Sequence, residues 1–323
     1  MGKILVTGAF GQIGSELTQA LREKYGLENV IATDLKRKLD SSHDSGIALP
    51  VDCLDFDTLN KIVKTYGIDC IFHLASILSA VAEEKPQFAW NVNMGCLYNI
   101  LEIARENKCR IFVPSSIASF GPLTQINDVP QDTTQRPTTM YGITKVAGEL
   151  LCDYYYKKYK VDTRGVRYPG LISYKTLPGG GTTDYAVEIY YEALLHKKYV
   201  CYLEEKTYLD MMYMPDAIKA AIDLMEVDSS GLCHRNAFNI TAMSVSPEEI
   251  AAEIRKTIPE FTIEYNIDPL RQSIADSWPN NLDDSAAKEE WSWNPEYDLQ
   301  AMTKDMLSKL SDKLKSEAIF SIK

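Results

Sequence analysis

The sequence predicts an α/β fold, a doubly wound parallel sheet followed by a smaller lobe that is mainly C-terminal. Three observations carry that prediction. Short β-branched runs alternate with helix-period segments through the first half of the chain. A glycine-rich turn joins the first such run to the first helix, and the regular alternation stops near Leu177. In order, KILVT (3 to 7) reads as a strand, a helix runs from about Gln12 to Tyr25, and VIATD (30 to 34) and IALPVD (47 to 52) read as the next strands. A helix around Leu59 leads to the strand DCIFHLA (69 to 75), and a long helix from Pro86 to about Asn107 leads to RIFVPSS (110 to 116). A helix from about Thr139 to Tyr159 then precedes VDTRGVRY (161 to 168). Parallel neighbours need crossovers of this kind, and right-handed ones bring the carboxyl ends of the strands to one edge. Beyond Leu177, helices near 185 to 196 and 215 to 226 are separated by irregular segments, while AFNIT (237 to 241) reads as a strand returning to the sheet. Ser246-Pro-Glu-Glu249 is a capping box with Pro at the first helical position. The expected division is a sheet domain over 1 to 175 with a returning strand near 236 to 242, and a second lobe built from 176 to 235 and 243 to 323. The tail beyond about Gln300 has the pattern of an amphipathic helix.

Composition narrows the function classes. A chain of 323 residues, 45% hydrophobic, buries a core of enzyme size. Its formal net charge of -11 gives no electrostatic footprint for nucleic acid or anionic membranes. Seven scattered cysteines, never at CxxC spacing, fit free thiols in a reducing compartment, and the four histidines form no metal-ligand pair. No apolar run approaches membrane-spanning length. Because strand-like residues begin at Ile4, the expectation is that no signal or transit peptide remains in this chain.

TGAFGQIG, Thr7 to Gly14, follows the first strand and opens the first helix. Glycines at 8, 11 and 14 allow a tight turn and a close approach of backbone to a pyrophosphate, and the helix N-terminus supplies free N–H groups. Gly8, Phe10, Gly11, Gln12, Ile13 and Gly14 are therefore the expected cradle of a dinucleotide. Asp34 closes the second strand, where a carboxylate hydrogen-bonds an adenosine ribose and repels a 2′-phosphate, which favours NAD over NADP. The basic run Lys36, Arg37 and Lys38 has two readings, a cluster that softens this preference or, as is more common for a basic loop, solvated surface alone. Asp52 and Cys53 end the next strand within reach of the adenine, and Leu74, Ala75 and Ser76 follow the fourth beside the cofactor. His73 reads as a packed or capping histidine.

Tyr141 and Lys145 lie four residues apart near the start of a helix and so project from one face. An ammonium and a cationic nicotinamide beside a phenol favour its phenolate, which makes the tyrosine a candidate general base. The spacing alone decides nothing, since Tyr156 and Lys160 share it. Position decides more: Ser115 and Ser116 stand at the carboxyl end of the preceding strand, where ligands of such sheets bind.

In this order, GAFGQIG, SSIASFG and YGITK resemble the extended short-chain dehydrogenase/reductase superfamily, in its epimerase-like branch and with a Rossmann fold. The resemblance runs from residue 3 to about 250, and it implies Ser116, Tyr141 and Lys145 as the catalytic set, NAD as cofactor, and a homodimer built on the helices from 86 and 139. It also places Asn93 at the cofactor, although Cys96 stands where an Asn-x-x-Gly motif has its glycine. Many relatives act on nucleotide sugars and carry RYFNVYGP after the sixth strand, but this chain has RYPGLISY, and Leu209-Asp210-Met211 replaces an Arg-Asp-Phe. Both changes remove groups that meet a diphosphate. RYPGLISYKTLPGGGTTDY and RQSIADSWPNNLDDS instead resemble the short-chain L-threonine 3-dehydrogenases. That resemblance implies oxidation of L-threonine to 2-amino-3-oxobutanoate, a pocket lined by Ser79, Ser116, Tyr141, Thr182, Asp184 and Trp278, and Tyr168, Pro169 and Ile172 beside the nicotinamide.

The residues agree with a zwitterionic substrate. Gly179, Gly180 and Gly181 offer backbone N–H groups to a carboxylate, and Asp184 offers a partner to an ammonium. The rival readings are a nucleotide-sugar epimerase or dehydratase with tightly held NAD, and a dinucleotide sensor without turnover. The resemblance leaves the compartment open between the cytoplasm and the mitochondrial matrix.

Overall fold

A computed structural model describes residues 1 to 35, 46 to 176 and 181 to 320. Lys36, Arg37, Lys38, Gly179 and Gly180 lie outside the described residues. The central sheet begins with β1 (Lys3–Thr7), and α1 (Gln12–Tyr25) crosses to β2 (Val30–Asp34) and β3 (Ala48–Pro50). Then come α2 (Phe56–Tyr66), β4 (Ile68–His73), α3 (Ser79–Glu84), α4 (Pro86–Asn107), β5 (Arg110–Phe112) and β6 (Ser115–Ser116). The helix α5 (Met140–Tyr159) leads to β7 (Thr163–Arg164), β8 (Val166–Tyr168) and β9 (Gly170–Ile172). Among the described residues the order across the parallel sheet is β3-β2-β1-β4-β5-β7, as expected of a doubly wound fold.

The sequence reading differs from the structure where it expects single strands over 110 to 116 and 161 to 168. Each is two strands. Pro114 has no N–H to give the ladder, and a side chain at Gly165 would sit 2.0 Å from the Val113 carbonyl. The ladder reaches the break at Val113, whose N–H donates to Arg164 O at 2.8 Å. Beyond it, β6 pairs with β8, setting Ser115 opposite Arg167 and Ser116 opposite Tyr168. The short helix α3 also has no counterpart in the sequence reading.

The rest of the chain adds α6 (Tyr185–His196), β10 (Lys198–Cys201), β11 (Leu209–Tyr213) and α7 (Met214–Glu226). Next are β12 (Phe238–Asn239), which returns to pair parallel with β8, and β13 (Met243–Val245). The chain ends through α8 (Pro247–Arg255), β14 (Thr262–Tyr265), α9 (Pro269–Ala275), α10 (Ser285–Trp291) and α11 (Leu299–Phe320). Ser246 caps α8 with the expected box, its side chain accepting from Glu249 N–H at 3.3 Å while the Glu249 carboxylate accepts from Ser246 N–H at 3.0 Å.

Strand alternation divides the core. Ile4 and Val6 point to one side of the sheet against Leu17, Leu21 and α7, whereas Leu5, Ile31 and Ile71 point to the other against Leu97, Leu101 and Tyr155. A separate cluster of Tyr185, Ile189, Met211, Ile250 and Ile254 closes the C-terminal lobe. The tail helix seals it with Met302, Met306 and Leu310, the single-faced pattern read from the sequence.

Candidate active site

The site is built at the carboxyl edge of the sheet. Register places Thr7 beside both Thr33 and His73, and Ser116 beside Tyr168, so the segments that follow these strands converge. The glycine turn shows why each glycine is there. Gly8 has φ +69°, and a Cβ on it would lie 2.7 Å from Ala75 N, so the turn is pressed against the Leu74–Ala75 backbone. A Cβ on Gly14 would lie 2.0 Å from Gly8 O, whereas one on Gly11 would meet Gly8 O only at 3.4 Å. Gly14 is required by the protein's own packing, while Gly11 leaves space in front of the turn. No side chain caps α1 at Gly11, and its first turn holds no acidic residue. A helix start with uncapped N–H groups and a positive dipole end, next to a backbone surface without side chains, fits a pyrophosphate.

Asp34 is half-buried, and its carboxylate accepts from Phe10 N–H at 3.0 Å, which fixes it against the turn. Phe10 and Ile13 pack on the sheet core. Asp52 is exposed and accepts from Leu54 N–H at 2.9 Å. Cys53 is buried, and a hydrogen bond with Cys96 lowers its thiol pKa and raises that of Cys96. The cysteine in the usual glycine position thus packs beneath the segment expected at the adenine. Asn93 holds the loop after β4, with its Oδ1 accepting from Ile77 N–H at 2.7 Å and its Nδ2 donating to Ile77 O and Thr144 Oγ1 at 3.2 Å. Leu74, Ala75, Ser76, Asn93 and Lys145 share the lining of a cavity of about 40 Å³.

His73 follows the packed reading. Its Nδ1 meets Thr7 Oγ1 at 2.8 Å, and burial, then the charge of Lys145, pushes its pKa down from 6.5 to about 3. The folded chain therefore leaves His73 neutral where the unfolded chain takes a proton. His73 contributes stability that is complete above pH 6.5 and is lost as pH falls from 6.5 toward 3. Melting temperature is expected to fall more steeply across that window for the wild type than for His73→Gln. Parallel curves would refute the assignment.

The α5 helix carries the candidate catalytic pair. Thr139 caps it, accepting from Gly142 N–H at 3.1 Å, and so sets Tyr141 in its first turn. Lys145 Nζ lies 5.3 Å from the Tyr141 ring centroid and donates to Pro114 O at 2.9 Å. Tyr141, Lys145 and Ser116 are half-buried, accessible to a small molecule. The structure separates the two serines. Ser115 Oγ donates to the Glu149 carboxylate, whereas Ser116 Oγ accepts from Ala118 N–H at 3.2 Å and keeps its own proton to give.

The structure adds detail at the expected substrate and nicotinamide residues. Gly181 N–H donates to Asp184 Oδ2 at 2.7 Å, so it is not free for a substrate carboxylate. Asp184 closes its own turn in this way, and Tyr202 Oη, which accepts from Tyr185 N–H at 2.7 Å, braces the same turn. Tyr168 is buried, and its phenol donates to Ala217 O at 2.7 Å. Ile172 is fully buried in the C-terminal cluster, behind the nearby Gly170, which is pressed against Thr183 and Met211. Pro169 is buried too. Thr182 is buried, Ser79 opens α3 half-buried, and Trp278 packs over Ile117, Phe120 and Val129. Tight packing against Ser116's own segment gives Trp278 a core role as well as a place near the site.

Sequence reasoning gave no role to Asp210, Glu149 or Arg167. Asp210 is buried and accepts from Thr241 Oγ1 at 2.7 Å and Leu282 N–H at 3.1 Å, anchoring the segment behind Trp278. Burial pushes its carboxyl well above the usual range. Glu149 was detectable as the next residue on the Tyr141–Lys145 face.

The model of the NAD dependent epimerase/dehydratase family matches residues 4 to 241. The chain belongs to that family. Its cofactor is NAD, and its central sheet is Rossmann-like. An L-threonine dehydrogenase from Clostridium difficile is 62% identical, with TM-score 0.95, covering 97% of this chain and 98% of that one. The holo form of a GalE-like L-threonine dehydrogenase from Cupriavidus necator is 49% identical, with TM-score 0.92 and coverages of 95% and 99%. An uncharacterized epimerase/dehydratase of Staphylococcus haemolyticus is 52% identical over 314 residues, 97% of this chain and 99% of its own. Among the described residues no acidic, His or Cys group is arranged to hold a metal ion, and no helix is long and apolar enough to cross a membrane.

Proposed function

We propose that this enzyme oxidises L-threonine at its β-carbon hydroxyl, giving 2-amino-3-oxobutanoate and NADH. The observation that carries the reading is the set of Ser116, Tyr141 and Lys145 at the sheet edge, in a chain 62% identical to an L-threonine dehydrogenase over nearly its full length. Bound NAD supplies the hydride acceptor. Gly8 to Gly14 would hold its pyrophosphate and Asp34 its adenosine ribose. The Ser116 hydroxyl orients the substrate oxygen, and Tyr141 takes its proton. The Lys145 ammonium, fixed by Pro114 O, stabilises negative charge on the phenol oxygen.

Thr182 and Asp184, on the turn braced by Tyr202, are assigned to the amino acid's polar groups, with Ser79 and Trp278 completing the pocket. The Leu209-Asp210-Met211 strand favours this substrate over a nucleotide sugar, because the buried apolar Leu209 stands where an arginine would meet a diphosphate. Homodimerisation through α4 and α5 belongs to the same proposal. Trp90, Tyr98, Leu150 and Tyr154 are exposed apolar side chains on those helices.

The test is direct. Purified protein with NAD and L-threonine is expected to form NADH at a rate that depends on threonine, and to do so much more slowly with NADP because Asp34 repels a 2′-phosphate. Absence of threonine-dependent NADH would return the reading to an epimerase or dehydratase.

A further inference from the structure

Tyr141, Lys145 and Glu149 are spaced by four residues along one face of α5, and that face meets Pro114 and Ser115 of the neighbouring strand segment. Lys145 Nζ donates to Pro114 O, Ser115 Oγ donates to Glu149, and Ser116 follows as the candidate active-site hydroxyl. Glu149 and Arg167 are almost fully buried, with side-chain exposures of 7% and 8%. Arg167 Nε and Nη2 grip the two Glu149 oxygens at 3.1 and 2.9 Å, and Gln135 Nε2 adds a bond at 2.8 Å. The third arm of the guanidinium, Nη1, donates to Gln131 O at 3.0 Å and Asn239 Oδ1 at 2.9 Å. Besides each other, the pair therefore binds three segments: β6, β12 and the 131 to 135 loop. Arg167 itself stands opposite Ser115 in the ladder.

A buried ion pair contributes little net stability for what it costs to desolvate, but it fixes geometry, because neither charge tolerates losing its partner. We infer that Glu149, locked by Arg167, is a positioning residue that holds Ser115 and so sets the hydroxyl of Ser116 in register with Tyr141. The strand needs such a clamp because Pro114 interrupts the ladder immediately before it. This inference rests on the proposed catalytic roles of Ser116 and Tyr141.

Ser115 offers the cleanest test, since Ser115→Ala deletes one hydrogen bond and leaves the ion pair whole. Ser115→Thr keeps the hydroxyl and suits the strand that carries it. Ser115→Ala is expected to lower kcat for L-threonine by about 10- to 100-fold through misplacement of Ser116. The KM for threonine and the affinity for NAD stay nearly unchanged. Amide exchange over residues 114 to 121 quickens, and Ser115→Thr restores both exchange and kcat. Unchanged exchange in Ser115→Ala overturns the inference, as does faster exchange with full kcat, which makes the network structural only. Loss in Ser115→Thr equal to that in Ser115→Ala, or loss expressed in KM or NAD affinity, also overturns it. If the wild type forms no NADH from threonine, the proposed function fails. The exchange measurement then decides alone: quickening confined to 114 to 121 and reversed by threonine upholds the clamp.

Discussion

Tyr141→Phe is expected to lower kcat for L-threonine by about 10²- to 10⁴-fold, the range for loss of a positioned general base, with NAD affinity nearly unchanged. The substitution removes one oxygen and little else. The ring keeps its place at the start of α5, because Thr139 caps that helix, and Lys145 keeps its bond to Pro114 O. Ser116 still presents its hydroxyl. Initial rates of NADH formation at saturating threonine measure the first effect, and cofactor titration without substrate measures the second. Full turnover in this variant would end the assignment of Tyr141 as the base. A loss of NAD affinity equal to the loss of rate would make it a cofactor contact instead.

The second large effect separates two glycines that look alike in the sequence. Gly14→Ala drives a methyl group to within 2.0 Å of Gly8 O and 3.0 Å of the Ala9 carbonyl carbon, so the turn must shift even without ligand. Overpacking of this kind costs roughly 1–3 kcal/mol, which lowers the melting temperature by about 1.5–4.5 °C in a protein of this size. Gly11→Ala meets nothing closer than 3.4 Å in the protein itself, and Gly11 has no need for positive φ. Its melting temperature is expected to stay near that of the wild type. Its methyl instead projects from the start of α1, where a pyrophosphate approaches. The same 1–3 kcal/mol then appears as an NAD affinity weaker by about 5- to 150-fold. Thermal melts with and without NAD read both variants. Equal behaviour of the two would show that the turn does not divide its glycines between packing and ligand.

Much of this fold was legible before any coordinate. The alternation of short apolar runs with helical patterns marks β1, α1 and β2 at their observed ends, because strand and helix periodicity record which face of each element is buried. The glycine turn was legible for a related reason, since backbone that packs or binds without side chains needs glycine at fixed spacing. The break at Pro114 was written in the sequence too, but reading RIFVPSS as one apolar run hid it. The short α3 has six residues, too few to show a period.

By itself, then, the sequence determined the parallel sheet, the glycine turn, the candidate pair Tyr141 and Lys145, and the likeness to enzymes of the epimerase/dehydratase family. Tertiary structure alone decided which serine is spent and which is available, that Gly181 N–H belongs to Asp184, that the Tyr168 phenol is buried, and that Glu149 and Arg167 clamp the segment between α5 and β6. The physical reason is that periodicity is a local property, fixed by which side of one element faces the core. A hydrogen-bond partner is chosen across the fold, as Ser115 finds Glu149 at a separation of 34 residues and Arg167 finds Asn239 at 72. Such a choice follows only from how the elements pack.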